Sequence, residues 1–222
     1  MFNKVLIAED HGITGSGLKS SLADLAIAEI EISHYCDDAL LKIKAAQQKK
    51  RPFEILITDL SFKEDFKRQS LQSGEALITE AKKAQPYLKV LVYSIEHRIG
   101  VIKRLFEVHG IHGFVEKKRK DFKEIEEAMG AIFRGDTYTS PELQQALRSS
   151  VNISELDDYD TLLLRLLSKG FKQEEISKYF QRKNYPASSL RSIQDRLGKL
   201  KIIFAAKTPT HLVAKAMEKG FI

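Results

Sequence analysis

Through the first 135 residues, short apolar runs alternate with longer stretches whose apolar residues recur every three or four positions. Runs of about four apolar residues between polar loops read as strands, and the three-to-four spacing reads as helices. The runs fall at residues 5–8, 30–33, 55–58, 90–93 and 113–115, and all are rich in Val, Ile, Leu or aromatics. The helical stretches fall at 13–25, 37–48, 74–84, 100–108 and 122–134. Uninterrupted apolar strands need cover on both faces, and a helix between each pair supplies it. The pattern predicts an α/β unit over residues 1–135, a flavodoxin-like doubly wound sheet of five parallel strands.

Beyond residue 135 the pattern changes. Gly135, Thr139, Ser140 and Pro141 interrupt it, and Ser149, Ser150 and Asn152 are polar, so residues 136–153 are expected to be a linker. From 154 to 222 strand signals vanish, and helical spacing recurs at 159–168, 173–180, 189–201 and 210–219. A small all-α domain is expected there. The 222-residue length suits two ordinary domains, and 43% hydrophobic with 30% charged residues excludes a disordered or fibrous composition.

Charge is unevenly placed. Residues 151–222 hold 13 basic and 8 acidic side chains, against 23 and 22 in residues 1–150, so most of the net +6 sits in the helical part. A single cysteine, Cys36, leaves no intramolecular disulfide and no multi-cysteine metal site, which suits a reducing compartment. The N-terminus turns acidic after about five apolar residues, too few for a signal peptide. No uncharged apolar run approaches the ~18 residues of a membrane span. The expected location is the cytoplasm, with no membrane partner.

A parallel sheet brings the carboxyl ends of its strands to one edge, where ligands bind. Glu9 and Asp10 follow the first strand, Asp59 the third, Ser94 ends the fourth, and Lys117 lies two residues past the fifth. Clustered carboxylates raise one another's pKa and so favour a divalent cation. Oxygen-only ligands select a hard ion such as Mg²⁺. A carboxylate beside that ion can attack a phosphoryl group, with lysine and serine binding the phosphoryl oxygens. Each residue alone also reads as an ordinary solvated loop group or helix cap; the signal lies in their shared edge.

These residues carry a resemblance. KVLIAEDH at strand one, ILITDL at strand three, LVYS at strand four and GFVEK around strand five make residues 1–135 similar to the receiver domain of bacterial two-component response regulators. The resemblance implies that Asp59 accepts a phosphoryl group from a sensor histidine kinase. It also implies that Glu9, Asp10, Asp59 and the Ser61 backbone carbonyl hold Mg²⁺, that Lys117 contacts the phosphate, and that Ser94 and Phe114 form the switch. Phosphate adds roughly 1.5 to 2 negative charges, which draw the Ser94 hydroxyl and open space for the Phe114 ring. Two departures stand out. Ile95 replaces the family's small residue and is expected to narrow access to Asp59. The connection LSFKEDFKRQSLQSG, from Leu60 to Gly74, is long, lacks the family's proline and carries Lys63, Glu64, Asp65, Lys67 and Arg68. It is expected to be a solvated insertion or a partner-recognition loop. His11 is expected to pack or hydrogen-bond beside the acid pair, with a general base as the other reading.

In the helical part, LSKGFKQEEISKYF stops one helix at Gly170 and starts another, with Ile176 and Phe180 on one face. The NYPASS turn ends in serines suited to cap the next helix. That helix, SLRSIQDRLGKLK, turns Leu190, Ile193, Leu197 and Leu200 to the core and Arg191, Ser192, Gln194, Asp195, Arg196 and Lys199 away from it. Arg and Lys there neutralise phosphates, and Arg191, Ser192 and Gln194 have the chemistry to read base edges. A merely solvated face is the other reading of such a pattern.

LDDYDTLLLRLLSKG, EEIS, SLRSIQDRLGKL and AKTPTHLVAKAMEKGFI make residues 156–222 similar to the LuxR-type helix-turn-helix of NarL-family regulators. Asp160 stands where that family commonly has glutamate, and the turn between Phe180 and Ser189 is one or two residues longer. The resemblance implies double-stranded DNA and a second copy of the chain as partners. Lys183, Ser189, Arg191, Ser192, Gln194, Asp195, Arg196 and Lys199 are the expected DNA contacts. Leu212, Val213, Ala216 and Met217 either form a dimer seam or pack on the recognition helix. Taken together, the two resemblances imply a transcription factor switched by phosphorylation, not an enzyme. The competing readings are a magnesium-dependent phosphatase, which would want a second acid where Ser61 stands, and a degenerate receiver triggered by dimerisation or a protein partner.

Overall fold

The computed structural model describes residues 1–63, 69–117, 122–149 and 156–222. By its internal contacts the chain divides into two compact units, Met1–His97 with Ile102–Gln144, and Arg98–Val101 with Gln145–Ile222. In the first, β1 (Lys4–Ala8), β2 (Glu29–Ser33), β3 (Ile55–Thr58), β4 (Lys89–Ser94) and β5 (Gly113–Glu116) alternate with α1 (Gly12–Ser21), α2 (Cys36–Gln48), α3 (Gly74–Ala84), the greater part of α4 (Ile99–Glu107) and α5 (Lys123–Phe133). All the strands pair in parallel, in the order β2-β1-β3-β4-β5-β6, where β6 is Tyr138–Thr139. The register puts Val5 beside both Ile30 and Ile55, and Leu91 beside Ile57 and Gly113.

Because successive strand side chains point to opposite faces, each apolar run feeds two cores. Val5, Ile7, Ile55, Ile57, Leu91, Tyr93 and Val115 join Leu18, Ile125 and Met129 from α1 and α5 on one face. Leu6, Ala8 and Leu56 join Ala39, Ile43, Leu77 and Ala81 from α2 and α3 on the other. The doubly wound parallel sheet follows from this two-sided burial.

One expectation is corrected. Within the stretch read as linker, Tyr138 and Thr139 pair with Gly113 and Phe114 to make a sixth strand, and Pro141–Ser149 form a helix, α6. Two residues are too few to carry a periodicity signal, and the β6 pairing depends on the Phe114 backbone, whose carbonyl accepts from the Ser140 amide at 3.1 Å. Residues 150–153 of the expected linker lie outside the described residues, as do Glu64, Asp65, Lys67 and Arg68 of the long connection.

The second unit packs α7 (Asp158–Ser168), α8 (Gln173–Arg182), α9 (Leu190–Ile203) and α10 (Pro209–Glu218) around Leu163, Ile176, Phe180, Ile193, Leu197, Leu200 and Leu212. Their boundaries follow local chemistry. Asp157 and Asp160 form a reciprocal capping box at α7, Ser189 caps α9, and Thr208 with Pro209 opens α10. Gly170, at φ +86°, takes the left-handed turn that ends α7.

Candidate functional site

At the carboxyl edge of the sheet, the Lys117 ammonium donates to Glu9 Oε2 at 2.7 Å and to Asp59 Oδ2 at 2.6 Å. Three residues from three strand ends thus meet, although 108 and 58 positions separate Lys117 from its partners. Both acids are buried, Glu9 at 1% exposure and Asp59 at 6%. Asp59 Oδ1 accepts from the Leu60 amide at 2.6 Å and the Ser61 amide at 3.3 Å, so its other oxygen faces the lysine.

The electrostatics follow from burial. Desolvation pushes the Glu9 carboxyl above its ordinary value, with Lys117 only partly opposing it. For Lys117 burial works against the charge, but the hydrogen bonds to Asp59 and Glu9 outweigh it and the ammonium is held above its usual value. Asp10 is also partly desolvated, yet the Lys63 amide and His11 hold its carboxyl below the normal range. The Asp10 oxygens accept from Lys63 N at 2.9 Å and face His11 Nδ1 at 2.8 Å. His11 therefore stands beside the acid pair, as one of its two sequence readings holds, with half of its side chain in solvent.

The residues fit a hard divalent cation. Ligand atoms of Glu9, Asp10 and His11 all lie within 4.8 Å of one another, and Lys117 holds Asp59 against Glu9. Carboxylate oxygens are the donors that Mg²⁺ takes. This group shares Glu9 and Asp10 with the ligand set drawn from the sequence.

Ser94 ends β4 completely buried, and its hydroxyl has no hydrogen-bond partner among the described residues. A buried orphan hydroxyl is costly and calls for an explanation in function. The Ser94 carbonyl meanwhile accepts from the Lys117 amide at 2.8 Å, which ties these two site residues together. Phe114 is already fully buried, with β4 and β6 on either side. Ile95 keeps 67% of its surface in water.

Gly74 is required where α3 starts. A Cβ there would lie 1.8 Å from the Asp59 carbonyl oxygen, so only glycine lets the helix abut the strand end that presents Asp59. The long connection is tied back on both sides of its undescribed middle, by Lys63 N on Asp10 and by Ser70 N and Leu71 N on Asp37 at 2.7 and 3.0 Å.

In the second unit, Lys183, Arg191, Gln194, Asp195 and Lys199 are exposed. Ser189 and Ser192 hydroxyls meet at 2.8 Å in the α9 cap. Arg196 departs from the expected polar face. Its Nε donates to Asp160 Oδ1 at 2.5 Å, and Nη2 reaches Asp160 Oδ2 and, at 3.5 Å, Asp157 Oδ2. Helical spacing alone missed this pair, because the partner lies 36 residues away and reads as a simple capping acid. Of the apolar residues on α10, Leu212 and Ala216 are core, whereas Val213 is half-buried and Met217 is 53% exposed.

No protein-family model matches the sequence, and no curated protein matches it. Solved structures do. A two-component response regulator RcsB–DNA complex is 21% identical over 99% of this chain and 100% of that one, at a TM-score of 0.65. RcsB of Salmonella typhimurium, from a study of conformational dynamism for DNA interaction, is 21% identical over 96% and 98% at 0.69. RcsB of Salmonella enterica serovar Typhimurium, bound to promoter P1flhDC in the presence of the phosphomimetic BeF₃⁻, is 22% identical over 97% and 98% at 0.62. At this identity the likeness establishes the fold: a receiver-type α/β unit followed by a helical unit.

Proposed function

We propose that the chain is a response regulator in which phosphorylation of Asp59 controls sequence-specific binding of double-stranded DNA. The observation that carries this reading is the Glu9–Lys117–Asp59 cluster beside an unpartnered, buried Ser94 hydroxyl, in a chain that also holds a cationic four-helix unit. RcsB structures with DNA and with BeF₃⁻ support it by shared fold.

Asp59 Oδ2 attacks phosphorus in the donor. The new O–P bond forms as the donor's N–P bond breaks, and the electron pair leaves with the imidazole of a sensor histidine kinase. Leu60 and Ser61 amides hold Oδ1, so Oδ2 is the attacking oxygen. Lys117 transfers its hydrogen bond from Oδ2 to a phosphoryl oxygen, and the Ser94 hydroxyl gains in the phosphoryl group the acceptor it lacks. Glu9 and Asp10 would hold Mg²⁺, which when bound offsets the charge of the phosphoryl oxygens. Drawing Ser94 toward the phosphate repacks Phe114 on the neighbouring strand, which carries the signal to the sheet's far edge.

On DNA, Lys183 and Lys199 meet phosphates, while Arg191, Ser192 and Gln194 face base edges. Val213 and Met217 are the apolar residues of α10 left for a second copy of the chain. The test measures affinity of the full chain for a duplex selected from a random-sequence library, with and without beryllofluoride and Mg²⁺. Binding tightens about tenfold or more on adding them, and Asp59→Ala abolishes the gain. Equal affinity in both states would refute phosphate control.

A further inference from the structure

We infer that Arg196 is a positioning residue that fixes the recognition helix α9 on the first turn of α7, and that it does not contact DNA. The inference deepens the DNA-binding reading above and rests on it.

By its place in the sequence Arg196 belongs to the polar face of α9, beside Asp195 and Lys199, and a cation there is expected to meet a phosphate. Its geometry says otherwise. The guanidinium makes a two-pronged contact with Asp160, whose side chain is completely buried, and it also reaches Asp157. Only 28% of the Arg196 side chain is exposed. A buried carboxylate must keep its cation, because withdrawing the guanidinium to a phosphate would leave Asp160 charged and unpaired. The planar fork of arginine matches a carboxylate in two bonds at once, which fixes orientation as well as distance.

The two acids are themselves locked. Asp157 Oδ1 accepts from the Asp160 amide at 2.8 Å, and Asp160 Oδ2 accepts from the Asp157 amide at 3.3 Å, so the pair is the cap of α7. Arg196 thus connects the middle of α9 to a rigid helix start.

The start of α9 is held independently. The Tyr159 hydroxyl donates to the Ala187 carbonyl at 2.9 Å, and the Ser177 hydroxyl donates to the Ser188 carbonyl at 2.8 Å. The long turn between α8 and α9, with Asn184 and Ala187 at positive φ, is therefore braced at its last residues from α7 and α8. Two points fix a line: the turn sets where α9 begins, and Arg196 sets the direction it takes. A phosphate contact tolerates small tilts, but base-edge hydrogen bonds do not, so this brace bears on sequence discrimination more than on total affinity.

The experiment compares the full-length wild type with Arg196→Lys, Arg196→Gln, Asp160→Asn, the Arg196→Gln/Asp160→Asn double variant and Lys199→Gln. The probes are a duplex selected by the wild type from a random library and a scrambled duplex of equal length, each measured from 50 to 300 mM KCl. Lys199→Gln lowers the slope of log affinity against log salt by about 1, as loss of one phosphate contact does. All four variants of the pair keep the wild-type slope on the scrambled duplex but lose about tenfold or more of the preference for the selected one. The double variant is no worse than either single one, because both remove the same brace.

Arg196→Lys keeps the charge and the fold but loses the fork, so it decides the matter if the glutamine variant does not fold. Full discrimination with Arg196→Lys, or a slope lowered by about 1 with Arg196→Gln, overturns this inference alone. Failure of the wild type to bind any duplex overturns the DNA-binding reading and this inference with it.

Discussion

One ammonium satisfies two buried carboxylates in this chain, and the consequences are specific to the residues concerned. Lys117→Met leaves Glu9 and Asp59 facing each other without a cation. It is expected to cost about 2 kcal/mol or more at pH 7, read as a shift in the urea midpoint. Part of that loss is expected to return between pH 7 and pH 5, because burial raises the Glu9 pKa and a proton there, favoured as pH falls, removes one of the two facing charges. A variant equally unstable at both pH values would count against the pairing. His112 gives a second dependence of known sign. Burial, with Lys82 and Lys89 nearby, lowers its pKa to about 4, and its Nδ1 accepts the Val90 amide at 3.2 Å. Between about 6.5 and 4 the unfolded chain takes up a proton that the folded chain refuses, so stability falls as pH drops through that window. In His112→Gln this component of the slope disappears.

At the scale of elements, the α3 start and the α9 end show how single positions set local structure. Gly74→Ala must displace the Asp59 carbonyl and is expected to cost about 2 to 3 kcal/mol by thermal unfolding, with loss of phosphoryl acceptance. Ala205 does the reverse. It sits at φ +47° just past α9, where the Ala206 amide bonds back to Lys201 at 2.7 Å, a turn that favours glycine. Ala205→Gly is expected to stabilise by roughly 1 kcal/mol; a loss of stability would show that the left-handed strain is not there.

The same elements explain what was legible. Strands such as Ile55–Thr58 are visible because burial on both faces leaves no solvent-facing position within them, and α9 because its core residues repeat every three or four positions. Tyr138–Thr139 were not, since two residues hold no period and depend on β5 for pairing. The Glu9, Asp59, Ser94 and Lys117 group was legible because the parallel topology itself collects strand ends. The Arg196–Asp160 pair was not legible because the partner is a tertiary one, and spacing along one helix says nothing about a carboxylate on another.

For the whole molecule, the account joins an acidic phosphoryl site in one unit to a basic helical unit in the other. The uneven charge, with 13 basic and 8 acidic residues in positions 151–222, predicts DNA affinity that falls steeply with salt. An affinity independent of salt would remove the phosphate contacts assigned to Lys183 and Lys199. The central claim is that Asp59 is a magnesium-dependent phosphoryl acceptor, and intact-protein mass after incubation with acetyl phosphate tests it most directly. The account predicts a single phosphoryl adduct on the wild type, absent without Mg²⁺ and absent in Asp59→Ala. An adduct that persists in Asp59→Ala, or no adduct on either chain, would contradict it.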